Sequence, residues 1–442
     1  MHMGLNPVFA VRLPSLAGAV LALACAYLFT RQLAGSAAAS FTVVGLLIAD
    51  QFYMVEARPY GVLLGLAALA LVLWQNVLRG LHRRVSLVGL FLTLGAAISS
   101  HYFGILLLVP FLLAEGTRTV RRRKLDFALA TVLTISPIFV AGWLPFLAGA
   151  CQYKSNYYIT VKWSDVTRSY TSSIQKILGV HTATGGFLAF CAVLALIALF
   201  AWLGFRRSQQ REQTHEAIEV ATQWTAVGAF ALLPVAGVLL AVIASGAFEI
   251  RYVIEFTLGT TICLAAGLAA IVRGQALRTT LLVAGCILAV VLFGKRVSQD
   301  EVDRVRLEQV AGAALARQTL MTDKEEFLWL HAFYGAGSGA ANAVWVADLR
   351  REVAATRSDN VDRTMINLRT MAGLPVISYN EAISGVGQRR LIVSEESNPP
   401  NWLPAALIAS GMQLTLMKTK GVNATDSVRV YEIQARHELT MR

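Results

Sequence analysis

Long apolar runs separated by short polar turns constrain this chain more than anything else in it. A bilayer core requires about 20 consecutive apolar residues per helical crossing. Runs of roughly that kind recur at Leu13–Phe29, Ala37–Tyr53, Gly61–Leu78, Phe127–Leu147, Gly186–Gly204, Trp224–Ala244, Val253–Val272 and Thr279–Phe293. One further run, Val85–Leu113, is interrupted by Ser99-Ser100-His101-Tyr102. Two short helices, Val85–Ile98 and Phe103–Leu113, with a polar apex at His101 fit it better than one long tilted span, which would put that apex at mid-membrane. Only 15% of the 442 residues are charged, against about 25% in soluble domains. The expected fold class is therefore an all-α polytopic membrane bundle of about nine or ten transmembrane helices, followed by a C-terminal α/β domain.

The apolar character ends near residue 294. Residues 295–442 hold 18 Lys+Arg against 17 Asp+Glu, which leaves 21 of the chain's 39 bases and 10 of its 27 acids in residues 1–294. The basic excess thus belongs to the membrane part and reports topology, which argues against a nucleic-acid partner. Two domains are expected, 1–294 in the membrane and 295–442 soluble. In the soluble part Phe327–Tyr334, Ala343–Ala347, Arg390–Ser394 and Val428–Ile433 have strand composition, and Ser358–Met371 and Trp402–Ser410 have helical composition.

The arginines fall in alternate loops. One set holds Arg31, Arg79 to Arg84, Arg118 to Lys124, Arg206 to Arg211, and Arg273 with Arg278. The other set holds Glu56 and Arg58, His101, Lys154 and Lys162, and Glu249 with Arg251. The positive-inside rule places the first set in the cytoplasm. The second set, the Gln152–Thr184 loop and the soluble domain then face outward, provided that Val85–Leu113 counts as a hairpin. That parity puts Met1–Arg12 outside too. A helix and outer loop ahead of Met1 would account for this, and a short protein with an exported N-terminus is the alternative. The localisation expected is the inner (cytoplasmic) membrane, with the C-terminal domain periplasmic.

Glu56-Ala57-Arg58-Pro59-Tyr60 is the densest polar cluster between two spans. Pro59 biases Arg58 toward extended geometry and suits the first turn of the helix that follows. The aromatics Tyr153, Tyr157, Tyr158, Trp163 and Tyr170 of the long outer loop suit the interfacial belt, a stacking surface for a sugar, or an acyl groove. Five cysteines without a CxxC, four of them in apolar runs, argue against a disulfide framework or thiolate metal site. Gly335-Ala336-Gly337-Ser338-Gly339 lacks the lysine of a phosphate loop and suits a flexible turn, and Asn423-Ala424-Thr425 matches a glycosylation acceptor. No cofactor is indicated. A divalent metal is compatible with the chain, but no cluster of metal-ligand spacing supports one.

Glu-Ala-Arg-Pro-Tyr before a Leu/Ala-rich helix, His101-Tyr102-Phe103-Gly104 at a helix apex, and Arg251-Tyr252 opening a late helix together resemble the polytopic glycosyltransferases of the C superfamily. Within it the likeness is to the protein mannosyltransferase and aminoarabinose transferase-like group, whose bacterial members are described as dolichyl-phosphate-mannose-protein mannosyltransferase-like. The resemblance covers about Arg12 to Val272. It implies a cavity on the outer face in which a sugar passes from a polyprenyl-phosphate donor to a protein, lipid or glycan acceptor. The general base of that family is an acidic residue of a first outer loop, which would lie upstream of Met1.

Inverting transfer needs a base for the acceptor proton and cations for the departing phosphate. Arg58 and Arg251 are the candidates for the donor phosphate, because the guanidinium fork matches phosphate oxygens; interfacial arginines paired with nearby groups are the plain alternative. Glu56 is the catalytic candidate if no loop precedes it, and otherwise an acceptor contact or the ion-pair partner of Arg58. His101 could hydrogen-bond substrate as a neutral imidazole. Tyr60, Tyr102 and Tyr252 are candidate substrate contacts or belt residues. A flippase or transporter of lipid-linked sugars, and a catalytically silent membrane protein whose tail binds glycan, are the competing readings.

Overall fold

The computed structural model describes residues 7–56, 58–151, 161–178, 195, 215–245, 248–312, 319–323, 328, 343–356, 360–384, 390–395, 402–421 and 427–435. The chain divides into two compact units: residues 1–152 with 159–294, and 153–158 with 295–442. The protein is a polytopic α-helical membrane bundle with a C-terminal α/β domain.

In the first unit the helices are α1 (Pro7–Ala34), α2 (Ser36–Val55), α3 (Tyr60–Leu78), α4 (Arg83–Ser100), α5 (Leu108–Arg122), α6 (Phe127–Ile135), α7 (Leu144–Cys151), α8 (Ser164–Leu178), α9 (His215–Ala231), α10 (Leu233–Leu240), α11 (Phe256–Ile271) and α12 (Gln275–Gly312). Among the described residues five helical stretches are individually long and apolar enough to cross a membrane, and α9 with α10 makes a sixth, bent by 51°. Pro234 at the start of α10 explains the bend, since it removes a backbone donor where the two helices join. The run at Gly186–Gly204 lies outside the described residues apart from 195.

Helix α3 is the centre of the bundle. It is apolar on all sides, and a helix of that kind must be buried on all sides; 13 of its residues are buried. It meets α1 through glycines. A Cβ on Gly18 would stand 2.4 Å from the Gly61 carbonyl oxygen, and one on Gly65 would stand 2.4 Å from that of Gly18. The two backbones therefore touch, the close approach that small residues permit between membrane helices. Helix α11 packs on α2 less closely, with a Cβ on Gly45 standing 3.3 Å from the Thr261 methyl.

The break at His101 is present, but its partner helix is longer than expected. After a 3-10 segment, Tyr102–Leu107, α5 runs on to Arg122, so that Arg83–Ser100 and Tyr102–Arg122 each form a full-length span. Phe103–Leu113 underestimated this helix because Glu115 and Arg118 read as its end. They are buried instead: the Trp74 indole N–H donates to Glu115 (3.2 Å), and Arg118 donates to Glu115 (3.0 Å) and to Asp126 (3.3 Å). Arg83 reaches Asp126 at 2.6 Å and Arg122 reaches Glu219 at 2.8 Å. Arginines from two of the basic loops thus meet at one end of the bundle.

The second unit is a six-stranded sheet of order β3-β2-β1-β4-β6-β5. Its strands are β1 (Thr319–Thr322), β2 (Ala343–Ala347), β3 (Val376–Ser378), β4 (Arg390–Glu395), β5 (Met412–Gly421) and β6 (Ser427–Ala435). The first four are parallel, with Met321 opposite Val344 and Ile392, and β6 and β5 complete the sheet antiparallel. Asn360–Ala372 and Trp402–Ala409 are helical, close to the helices read from composition. The predicted strand at Phe327–Tyr334, the glycine run at 335–339 and Asn423 lie outside the described residues.

Candidate functional site

The pentad closes the turn between α2 and α3. Arg58 Nε lies 3.2 Å from Glu56 Oε1, with the arginine side chain 44% exposed, and the Arg58 amide donates to the Glu56 carbonyl at 2.8 Å. An ion pair this open to solvent contributes about 0–1 kcal/mol, so it orients Arg58 more than it stabilises the fold. Pro59 occupies the N-cap of α3, and Tyr60 begins the helix, buried. Ala57 lies outside the described residues.

His101 interrupts two helices with an extended backbone, φ −158° and ψ 133°. Its amide still donates to Ala97, and its Nδ1 accepts from the Phe103 amide at 3.2 Å. Gly104 then packs on α4 so closely that a Cβ would stand 2.5 Å from the Ala97 carbonyl oxygen. The Trp143 indole donates to the Ile98 carbonyl at 2.7 Å, satisfying one of the terminal acceptors of α4. With Nδ1 accepting, the neutral ring carries its proton on Nε2. Burial, and next the charge of Arg251, push the His101 pKa down to about 4. The imidazole is therefore an uncharged hydrogen-bonding group at neutral pH.

Arg251 and Tyr252 come from a 3-10 turn, Ile250–Val253, ahead of α11. Tyr252 lies 5.2 Å from the His101 ring and 5.0 Å from Phe103. Tyr102 stacks on His101 at 4.9 Å, and Tyr60 lies 6.1 Å from it. The Arg251 guanidinium stands 5.9 Å from the centre of the Tyr252 ring. Burial works against its charge, but Tyr60, Tyr252 and Glu249 outweigh that effect and raise its pKa. Tyr60 lies in the electrostatic field of both Arg251 and Arg58. Glu56, Arg58, Tyr60, His101, Tyr102, Arg251 and Tyr252, drawn from three separate turns, therefore gather at one end of the bundle. The opposite end holds the Glu115–Arg118–Asp126 network.

Sequence reasoning passed over several groups here. Tyr53 stands edge-on to Tyr60 at 5.8 Å and shares its surroundings with Arg251, Asp50, Glu56 and Glu249. Asp50 and Glu255, inside runs counted as apolar, are 1% and 2% exposed. They interact electrostatically, and Glu255 Oε1 has no hydrogen-bond partner among the described residues. Lone acids inside apolar runs were the available signal, because a buried charge must earn its place. Tyr170 of the long loop is buried as well, its hydroxyl donating to the Ala231 carbonyl at 2.7 Å, whereas Trp163 is exposed; Tyr153, Tyr157 and Tyr158 lie outside the described residues. Among the described residues no group of three or more His, Cys, Asp or Glu could hold a metal ion.

The arrangement pairs two guanidiniums with a wall of aromatic rings and an uncharged imidazole. Such a surface suits an anion joined to a ring-bearing or polyhydroxylated body. No protein-family model matches the sequence, and no curated protein does either. The fold is similar to that of ArnT from Cupriavidus metallidurans, whose crystal structure holds undecaprenyl phosphate. That likeness has a TM-score of 0.50 at 14% identity and covers 95% of this chain and 83% of that one. ArnT in the apo state aligns over the same shares at 13% identity, with a TM-score of 0.40. At this identity the likeness is one of fold.

Proposed function

We propose that this chain is an integral membrane glycosyltransferase that takes a sugar from a polyprenyl-phosphate donor and passes it to a protein, lipid or glycan acceptor on the outer face of the membrane. The observation that carries the reading is the meeting of Arg58, Arg251, His101 and Tyr252 at one end of a bundle whose fold is shared with a protein crystallised with undecaprenyl phosphate. Arg58 and Arg251 take the donor phosphate, and their charge grows in value as negative charge develops on the departing oxygen. Tyr60, Tyr102 and Tyr252 face the sugar, with the neutral His101 able to donate from Nε2 to a hydroxyl. Glu56 orients Arg58 and, if no acidic outer loop precedes it, is the candidate to receive the acceptor proton. The arginine-rich loops support the sidedness of this reading, with the site and the α/β domain on the periplasmic side of an inner membrane.

The buried acids Asp50 and Glu255 favour a second reading, a flippase of lipid-linked sugars, because intramembrane carboxyls commonly mark transport pathways. One reconstitution separates the two. Vesicles containing the protein and a bacterial envelope extract as the source of acceptor are loaded with a polyprenyl-phosphate-linked sugar, and transfer of the sugar with release of polyprenyl phosphate and movement between leaflets are both followed. Release of free polyprenyl phosphate, lost in Arg58→Ala, supports the transferase; movement without cleavage supports the flippase. Failure of undecaprenyl phosphate to stabilise the protein in micelles overturns both.

A further inference from the structure

The turn that carries Glu56 and Arg58 is fastened to a helix that the charge pattern did not implicate. Ser15 sits in α1 one residue after Pro14 and is 2% exposed. Its hydroxyl faces two carbonyl oxygens, that of Arg58 at 3.2 Å and that of Tyr53 at 3.3 Å. A serine inside a helix commonly turns its hydroxyl back to the carbonyl one turn earlier. Here it reaches across to another segment.

Tyr53 lies in the last turn of α2 and Arg58 in the turn itself. One hydroxyl therefore bridges the turn from its entrance to the middle of the pentad. The glycine seam makes this reach possible. A Cβ on Gly61 would stand 2.4 Å from Ser15 Oγ and 2.6 Å from the Ser15 carbonyl oxygen. No larger residue at Gly61 leaves room for the hydroxyl.

Arg58 is thus held on both sides of its Cα. Its amide donates to the Glu56 carbonyl at 2.8 Å, and its carbonyl accepts from Ser15. What remains free is the side chain, guided by Glu56 at 3.2 Å. Fixing the backbone lowers the ordering cost of meeting an anion, which is how preorganisation raises affinity.

We propose that Ser15 is a positioning residue for lipid-phosphate binding, its hydroxyl wedged in the α1–α3 glycine seam and setting the backbone from which Arg58 reaches the phosphate. This rests on the assignment of Arg58 to the donor phosphate. Ser15 touches no substrate and acts through Arg58.

The test is a double-mutant cycle on the full chain in detergent micelles, with undecaprenyl phosphate as the probe and binding followed by intrinsic tryptophan fluorescence. Ser15→Ala is expected to weaken binding about three- to tenfold, the size of one net hydrogen bond, while the protein remains folded. In an Arg58→Ala background, where Arg251 still holds the lipid more weakly, Ser15→Ala is expected to make no further difference. Wild-type affinity in Ser15→Ala overturns the proposal. An equal loss in both backgrounds also overturns it, because a merely structural serine acts regardless of Arg58. If Ser15→Ala does not fold, Ser15→Cys, close in size and a weak donor, goes through the same cycle. Wild-type binding by Arg58→Ala alone removes Arg58 from the phosphate site, a failure of the functional reading that this cycle reports separately.

Discussion

The two ends of the membrane bundle use charge in opposite ways. At the arginine-rich end Arg83 and Arg118 share Asp126, Arg118 also reaches Glu115, and Arg122 reaches Glu219. Burial pushes the Asp126 carboxyl up, but hydrogen bonds from Arg83 and the Leu129 amide, with the charges of Arg83 and Arg118, outweigh it and hold it below its ordinary value. At the other end Arg58 stands half in solvent, and Arg251 Nε and Glu255 Oε1 have no hydrogen-bond partner among the described residues. At the first end each of these arginines has a carboxylate partner within the chain, and the network ties α4, α5 and α9 together. At the second, the ion pair of Arg58 with Glu56 is open to solvent, the exposure that the proposed phosphate contact requires.

The contrast breaks most readily at Arg118. Arg118→Leu leaves Glu115 and Asp126 facing each other without their shared cation, and removing one partner of a buried pair costs about 3–5 kcal/mol. Unfolding in detergent micelles should show that loss; a change under 1 kcal/mol would mean that the network does not hold the bundle. Arg58→Ala should do the reverse. Turnover is expected to fall by about 10²–10³-fold, the scale of losing one charge-stabilising donor, with the melting temperature nearly unchanged. Full activity in that variant would erase the functional half of the contrast.

Acid sharpens it further. His101 is held neutral down to about pH 4 in the folded chain, whereas an exposed imidazole takes its proton near pH 6.5. The unfolded chain therefore binds the extra proton first, and the His101 contribution makes the protein less stable as pH falls from about 6.5 to about 4. Asp126 acts in the same sense in a lower window: its carboxyl is held below its ordinary value, so its stabilising contribution is present above the ordinary carboxylate range and is lost only as pH falls below it. Melting curves between pH 7 and pH 4 should slope downward in the wild type. They should flatten in His101→Asn, whose amide oxygen can still accept from the Phe103 amide. An unaltered slope would move the effect away from His101. The smallest change is expected from Glu56→Gln, within about 1 kcal/mol of wild-type stability by chemical denaturation.

The parts of this molecule that were legible in the sequence depend on local rules. Apolar run length placed α2, α3 and α4 to within two residues of their ends, because the bilayer dictates length, whereas α1 extends five or six residues beyond Leu13–Phe29 at each end. Arg58, His101 and Arg251 could be named because each interrupts an apolar pattern. What escaped depends on pairing between distant segments. Ser15 looks unremarkable until the Arg58 carbonyl lies beside it, and the extension of α5 through Glu115 and Arg118 is intelligible only with Trp74 and Asp126 in place. In the α/β domain β2, β4 and β6 were legible from β-branched and apolar runs. β1, with four residues, and β3, with three, are too short to show a period. β5 carries Gln413, Lys418 and Lys420, as an edge strand with one open side does.

Helix α12 obeys a different design rule from α3. In the 18-residue apolar window within Gln275–Ser298 only 6% of residues are buried within the protein, and Val283, Ile287, Val290 and Val291 are more than half exposed. Acyl chains, not neighbouring helices, are the medium that accepts these side chains in a bilayer. Liquid hydrocarbon conforms to whatever shape it meets, so exchanging one aliphatic residue for another here leaves no cavity behind. A single ionised group at its midpoint, by contrast, finds no partner at all. Along this exposed face of α12 the sequence is free in volume and constrained in polarity, whereas along the α1–α3 seam, and at Gly285 of α12 where a Cβ would stand 2.5 Å from Val44, a single methyl group is already too much.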